Sequence, residues 1–137
     1  MKSRSNKPQK PPRFLNVDLQ IVSPSKLELL SLLRAFSKGV FVLHSGPWVG
    51  GRKHFARLEN SSDHKGPDAH IHALCSEVEH LPAKARHLWE ASRKEFDVGY
   101  ELHASEHCSF FTLRPDTLQR MAALGVNLTV TFYQGED

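Results

Sequence analysis

The sequence predicts an α+β fold with one sheet of five or six strands and with helices packed largely on one face. The strand segments alternate apolar with polar residues, so each strand should turn one side to a core and the other to water. A continuous apolar run in every strand would instead predict a sheet covered on both faces. The helical segments begin near proline or serine and end near glycine, which separates them clearly from the strands.

The first third of the chain predicts a strand, a helix and a second strand. Residues 14–22 place Leu15, Val17, Leu19 and Ile21 on one face of a strand and polar residues on the other. Ser25 followed by Glu28 forms a capping box that starts a helix. Leucines at helical spacing follow, and Gly39 is expected to end the helix. Residues 40–44 form a short apolar strand.

A glycine-rich turn at residues 45–51 predicts a hairpin between this second strand and residues 52–58. Gly46 and Gly51 suggest a phosphate-binding loop, but that motif needs Lys directly after its second glycine and then a helix. Arg52 and Lys53 lead into a strand instead, so the pattern favours a plain hairpin.

The middle of the chain predicts a helical pair. Asp68 is a suitable N-cap for a helix over residues 70–81, and Pro82 separates it from a second helix over residues 83–95. Residues 96–104 then alternate as a regular strand. The C-terminal part predicts a strand at residues 109–113, a helix from Pro115 to the stop at Gly125, and a last strand at residues 126–133 whose apolar face is buried. The predicted order is β-α-β-β-α-α-β-β-α-β.

Length and charge predict one domain with a basic tail. The 137 residues suffice for a single core without metals or disulfides. Residues 1–12 are proline-rich and basic with little to bury, so we expect a flexible tail before a domain over residues 13–137. Five of the 18 basic residues lie in the first 13 positions, which leaves 13 basic against 15 acidic residues in the body. Nucleic-acid binding is therefore expected only as a weak alternative, through the tail.

The two cysteines, Cys75 and Cys108, are too few for a disulfide framework and form no Cys-x-x-Cys motif. The sequence has no apolar run of a signal peptide or of a membrane-spanning helix. We therefore expect a cytoplasmic protein that does not bind a membrane.

The second half of the chain resembles a known group of domains. The helical pair in residues 70–94, the strand from Phe96, and the segment that runs Cys-Ser-Phe-Phe-Thr-Leu-Arg-Pro-Asp-Thr-Leu from Cys108 carry the resemblance. Over residues 70–133 they resemble a family of uncharacterised bacterial α+β domains, some of them similar to the immunity proteins that neutralise toxins. The first half departs from that pattern. The resemblance implies a small intracellular protein and supplies no catalytic residues.

Nine histidines make a metal site worth testing. His70 and His72 would lie about 200° apart on a helix, so they cannot share one metal ion. His103, His107 and Cys108 form the best remaining cluster, and they support the alternative of a small hydrolase or metal-dependent enzyme. No third or fourth ligand is evident, and no nucleophile, base and orienting group are seen together. The sequence therefore predicts neither a cofactor nor an enzyme.

A protein-binding function is the main prediction. Trp48 lies in a glycine-rich turn and is followed by Arg52, Lys53 and His54, the composition that partner interfaces favour. The alternative for Trp48 is a ring that folds back over the sheet. We expect a non-enzymatic, immunity-like module that binds a protein partner at this loop or at an open sheet edge, and a homodimer is compatible with the same surfaces.

Overall fold

The computed structural model describes residues 12–103 and 108–135, which form five strands and four helices. The elements are β1 (Arg13–Ser23), α1 (Lys26–Ala35), β2 (Val40–Pro47), β3 (His54–Asn60), α2 (Gly66–Glu79), α3 (Ala83–Glu90), β4 (Arg93–Leu102), α4 (Pro115–Leu124) and β5 (Asn127–Gln134). The α+β class and the five-stranded sheet are confirmed. Residues 1–11 of the predicted tail lie outside the described residues.

The strands form one mixed sheet in the order β2-β3-β1-β4-β5. All neighbours are antiparallel except β4 and β5, which are parallel. The unit β1-α1-β2 encloses β3 between its strands, and the unit β3-α2-α3-β4 encloses β1. Two interlocked crossovers of this kind are the ferredoxin-like, or split β-α-β, arrangement. Helix α4 and strand β5 extend that arrangement at one side.

All four helices pack on one face of the sheet, as the alternation predicts. Val17, Leu19 and Ile21 of β1 share a single core with residues of every helix. The neighbouring strands contribute residues of the same face, because Leu19 pairs with Leu58 on β3 and with Phe96 on β4. The opposite side of the sheet, which we call the helix-free face, carries mostly polar side chains.

The start of α1 follows its capping box, but its end does not lie at Gly39. The hydroxyl of Ser25 accepts the backbone N–H of Glu28 at 3.2 Å. The helix stops at the C-cap Phe36, three residues before the predicted glycine. A Cβ at Gly39 would meet the carboxylate end of the flexible Glu77 side chain on α2, which would have to shift.

Helix α2 begins earlier than its predicted cap. Lys65 is the N-cap and makes no side-chain capping bond, and Pro67 occupies the first turn. Asp68 therefore lies inside the helix instead of capping it. Its carboxylate accepts the backbone N–H of Arg114 at 2.9 Å, so it joins the first turn of α2 to the start of α4. A polar residue near a predicted helix start can serve a distant segment, and sequence spacing does not distinguish the two roles.

The predicted strand at residues 109–113 is wrong, because this segment has no regular secondary structure. The position beside β4 is taken by β5, which pairs with it directly in parallel. Phe111 instead lays its ring on Tyr100 of β4, with centroids 5.7 Å apart and planes 17° apart. Phe111 and Leu113 pack against the core and Phe110 is exposed, so this segment is an irregular connection that covers part of the sheet.

Two edges of the sheet depart from the predicted burial. A register shift between Phe14 and Asn16 leaves Leu15 partly exposed, although the alternation assigned it to the core. On β5 the apolar face is only half covered, with Val130 packed on the core and Leu128 and Phe132 exposed. The described helices are too short and too polar to cross a lipid bilayer.

Candidate functional site

The Trp48 loop connects β2 to β3 and is closed by a hydrogen bond from the backbone N–H of Trp48 to the carbonyl of Lys53 at 2.9 Å. The Trp48 ring folds back and meets the ring of Phe55 edge-on, with centroids 5.8 Å apart. It walls a cavity of about 110 Å³ on the helix-free face, beside Gln20 and Val22. The geometry corresponds to the folded-back alternative, with Trp48 half-buried instead of projecting as an anchor.

The other three residues predicted for partner contact lie at the same end of the hairpin. Arg52 and Lys53 are exposed and have no ion-pair partner among residues 12–103 and 108–135. His54 is half-buried and pairs with Pro47 on β2 and with Ser23 on β1. That register turns the imidazole toward α1, on the helix-covered face.

A groove of about 250 Å³ lies between α1 and this end of the hairpin. We call it the hairpin groove, and its lining is Lys26, Leu29, Leu30 and Leu33 from α1, Ser45, Gly46 and Pro47 from β2, and His54 from β3. The three leucines make one wall apolar. Lys26 is the only residue of the lining with a full charge at neutral pH, and no described acidic side chain pairs with it.

Strand β2 is an edge of the sheet, and its large exposed side chains are apolar. Its backbone pairs only with β3, so within the described part of the chain its outer N–H and C=O groups have no strand partner. Phe41, Val42 and Leu43 are 45%, 44% and 47% exposed. The strand contains no Asp, Glu, Lys or Arg. Natural edge strands are commonly protected by charges or by a bulge, and within β2 itself such devices are limited to the register shift at Leu43 and to Pro47 at the end.

The helix-free face carries a row of three carboxylates across its centre. Asp18 on β1 lies opposite Glu59 on β3 and opposite Asp97 on β4. Like charges in directly opposite positions of a sheet destabilise each other. Burial and the neighbouring Glu59 raise the pKa of Asp18 to about 6, with Asp97 adding to the rise and Arg57 opposing it.

The neighbours of this row compensate much of its charge. The guanidinium of Arg57 lies 3.5 Å from the Asp18 carboxylate and 4.0 Å from that of Asp97. The hydroxyl of Thr131 on β5 donates to Asp97 at 2.6 Å, and the amide of Asn16 donates to Asp18 at 3.1 Å. The row is therefore part of a hydrogen-bonded network that spans four strands.

His70 is the more buried of the two histidines near the start of α2. Its side chain is buried, with Asn60 at 3.4 Å from Nδ1 and the ring of Phe14 packed edge-on at 5.3 Å. Burial and the neighbouring His64 lower the pKa of His70, which favours the neutral ring. His72 lies on the surface, 3.8 Å from Asp116. The two rings lie in different surroundings, as their helical spacing predicts.

The cluster predicted for the enzyme alternative is only partly within the described residues. The Nε2 atom of His103 lies 2.7 Å from the Glu101 carboxylate, and Cys108 is exposed with a free thiol. His107 lies outside the described residues. Within the described ranges no group of three or more His, Cys, Asp or Glu side chains has a geometry that could hold a metal ion.

Cys75 is a core residue, as its place on the apolar stripe of α2 predicts. Its side chain is fully buried, and burial raises the pKa of the thiol to about 11 despite the nearby Arg120. The thiolate is the reactive form of cysteine, so this side chain is not activated for nucleophilic chemistry.

The comparisons with known proteins leave the family open. The chain matches no protein-family model, and neither the curated proteins nor the solved structures show a significant match to it. The resemblance of residues 70–133 to immunity-like bacterial domains therefore stays a prediction.

The sequence predicts an open sheet edge as a binding site but identifies neither β2 as that edge nor the carboxylate row. The run Val40-Phe41-Val42-Leu43 is uninterrupted by polar residues, and such a run is typical of a strand buried on both faces. Its lack of alternation was the only available signal, and it pointed the wrong way. The row depends on the register of three strands that are distant in sequence, so no local pattern reveals it.

Proposed function

We propose that this protein is a non-enzymatic protein-binding module that recognises an extended segment of a partner protein. In this proposal the segment pairs with the outer edge of β2 and becomes a sixth strand of the sheet. The observation that carries the proposal is the exposed, uncharged run Phe41-Val42-Leu43 on a strand whose outer backbone groups have no partner among the described residues. In strand addition, main-chain hydrogen bonds supply affinity and adjoining pockets supply specificity.

The other edge of the sheet supports this mode less well. Strand β5 also exposes apolar side chains, and on its helix-free side two hydroxyl groups donate hydrogen bonds to carboxylates of β4. Thr129 donates to Glu95 at 2.7 Å, and Thr131 donates to Asp97. The hairpin groove, with its apolar wall from α1, lies beside β2. Edge β2 therefore combines free backbone groups, apolar side chains and an adjoining groove.

The helix-free face offers little to a nucleic acid. Proteins that track phosphates present Lys and Arg along the contact face. Here three carboxylates occupy the centre of that face, and Arg57 is already engaged by two of them. Binding through the basic tail falls outside the described residues.

The experiment that tests the proposal selects peptides from a random phage-displayed library on the full chain. Synthetic versions of the selected peptides are then titrated against three proteins: the native chain, Val42→Lys and Leu118→Lys. Val42 and Leu118 are similarly exposed, at 44% and 48%, but Leu118 lies on α4. We expect Val42→Lys to weaken binding at least about tenfold, because a charge on an edge strand blocks pairing. Leu118→Lys should leave binding unchanged.

A backbone test separates strand pairing from adhesion of apolar side chains. N-methylation removes one backbone donor at a time, and only alternate residues of a paired strand point their N–H groups at the neighbouring strand. We expect loss of binding at every second peptide position. Equal binding to Val42→Lys, or an even response to N-methylation, would contradict the proposal. So would a native chain that sediments as a dimer while Val42→Lys sediments as a monomer, since the edge would then serve a second copy.

A further inference from the structure

The hairpin groove lies directly beside the edge that the partner segment would occupy. Val42, Ser45 and Pro47 of β2 point to the helix-covered side of the sheet, because they pair with Leu58, Ala56 and His54 of β3. A strand added outside β2 would turn alternate side chains to the same side. Those side chains would face the groove whose other wall is formed by Leu29, Leu30 and Leu33 of α1.

The size and chemistry of the groove suit one apolar side chain. Its volume of about 250 Å³ is below the range of roughly 300–1,000 Å³ that pockets for drug-sized ligands occupy. Leu30 and Leu33 contribute apolar surface, and Leu30 is still partly exposed. Covering such surface with an apolar side chain is favourable in proportion to the area removed from water.

The lining of the groove contains one lysine and no carboxylate, although Glu28 lies in the same turn of α1. Lys26 stands in its lining, and Arg52 and Lys53 directly precede His54 in the chain. No acidic group in the described ranges pairs with any of these three cations. The acidic row, in contrast, lies on the opposite face of the sheet and has Arg57 as its counterion. Unpaired charge of one sign at a contact surface favours a partner of the opposite sign.

We infer that the partner segment is acidic and apolar: it places one large apolar side chain in the hairpin groove and neighbouring Asp or Glu side chains against Lys26, Arg52 and Lys53. This inference rests on the proposed function, because strand pairing at β2 is what brings the side chains to the groove. The apolar residue determines the register, and the carboxylates determine the charge preference.

The test uses a selected peptide with its apolar anchor changed to Ala, and separately with its acidic residues changed to Gln. Both peptides are titrated against the native chain and against Lys26→Gln, with Lys84→Gln on the exposed surface of α3 as the matched control. We expect the Ala peptide to bind at least about tenfold more weakly. The affinity of the Gln peptide should be about fivefold lower than that of the acidic peptide on the native chain, and the difference should be markedly smaller on Lys26→Gln. Affinity of the acidic peptide should fall as salt is raised.

The outcomes distinguish this inference from the proposed function. Peptides that bind native protein but not Val42→Lys, yet show no preference for acidic residues, would overturn the inference and leave strand addition standing. If an oligo-dT strand displaces the peptide with equal or higher affinity, the cations serve phosphates and the inference is wrong. A Gln peptide that loses as much affinity on Lys26→Gln as on the native chain would also contradict it. Failure of every peptide to bind would remove the proposed function itself.

Discussion

The two faces of the sheet use the same strands for opposite purposes. On the helix-covered face, Leu19 is fully buried in a core to which all four helices contribute. On the helix-free face, the adjacent Asp18 lies in a row of carboxylates held by Arg57, Thr131 and Asn16. The covered face stabilises the fold by removing apolar surface from water. The helix-free face costs stability through its repelling charges and depends on hydrogen bonds to limit that cost.

The largest expected difference between the faces comes from two neighbours on β1. Leu19→Ala should destabilise the protein by about 3 kcal/mol, because it removes buried methyl groups and leaves a cavity in the core. Gln20→Ala, one residue on and on the other face, should cost less than about 1 kcal/mol. Urea unfolding followed by circular dichroism measures both. Similar losses for the two variants would show that the helix-free face is also a packed core.

A smaller effect should appear at Asp18 and should depend on pH. Its pKa of about 6 in the folded protein lies above the ordinary value of 3.8, so the folded state holds this proton to higher pH than the unfolded state does. The stability contributed by the protonated form is therefore complete below about pH 4 and is lost as pH rises through 6. Asp18→Asn keeps the uncharged form at every pH.

We therefore expect Asp18→Asn to be more stable than the native chain by on the order of 2 kcal/mol at pH 8, with little difference at pH 4. Urea unfolding at pH 4, 6 and 8 gives the difference between the two proteins. Glu59→Gln sharpens the result, because removing that neighbouring charge should lower the pKa of Asp18. The pH range over which stability is lost should then move to lower pH. A variant that is less stable at pH 8 than the native chain would mean that the Arg57 contact outweighs burial.

The smallest effect is expected at the margin of the same face. Arg13 lies 3.5 Å from Glu101, and its side chain is 67% exposed. Solvent screens such a pair, so Arg13→Gln should change stability by less than about 0.5 kcal/mol. Thermal unfolding at low and at high salt measures the change. A loss of stability comparable to the effect of Asp18→Asn would show that an exposed ion pair at the margin matters as much as a carboxylate at the centre of the face.

Local pattern was sufficient where a signal acts over a few residues. The Ser25 cap of α1, the glycine stop at Gly125 and the alternation of β4 and of β1 from Val17 onward were visible in the sequence and were confirmed. Boundaries were wrong where a distant residue decides them. Asp68 lies inside α2 and accepts the backbone N–H of Arg114, and residues 109–113 form no strand while β5 pairs beside β4.

The candidate site was predicted only in part. Arg52, Lys53 and His54 do lie together at the hairpin end, but the Trp48 ring turns away from them onto Phe55. The groove that adjoins them needs α1, which is separated from the hairpin turn by a whole strand. Its apolar wall was indistinguishable from ordinary core leucines, because exposure of Leu30 is a property of the packed helix and not of its spacing.

The sequence by itself determined the class of fold, the buried face of β4 and of most of β1, and most helix starts, because side-chain periodicity and capping act between residues close in the chain. Only the tertiary structure decided which strand became the open edge, and which charges met across the sheet. Strand order and register join residues far apart in sequence, so the exposure of Phe41 and the pKa of Asp18 follow from neighbours that no local pattern specifies.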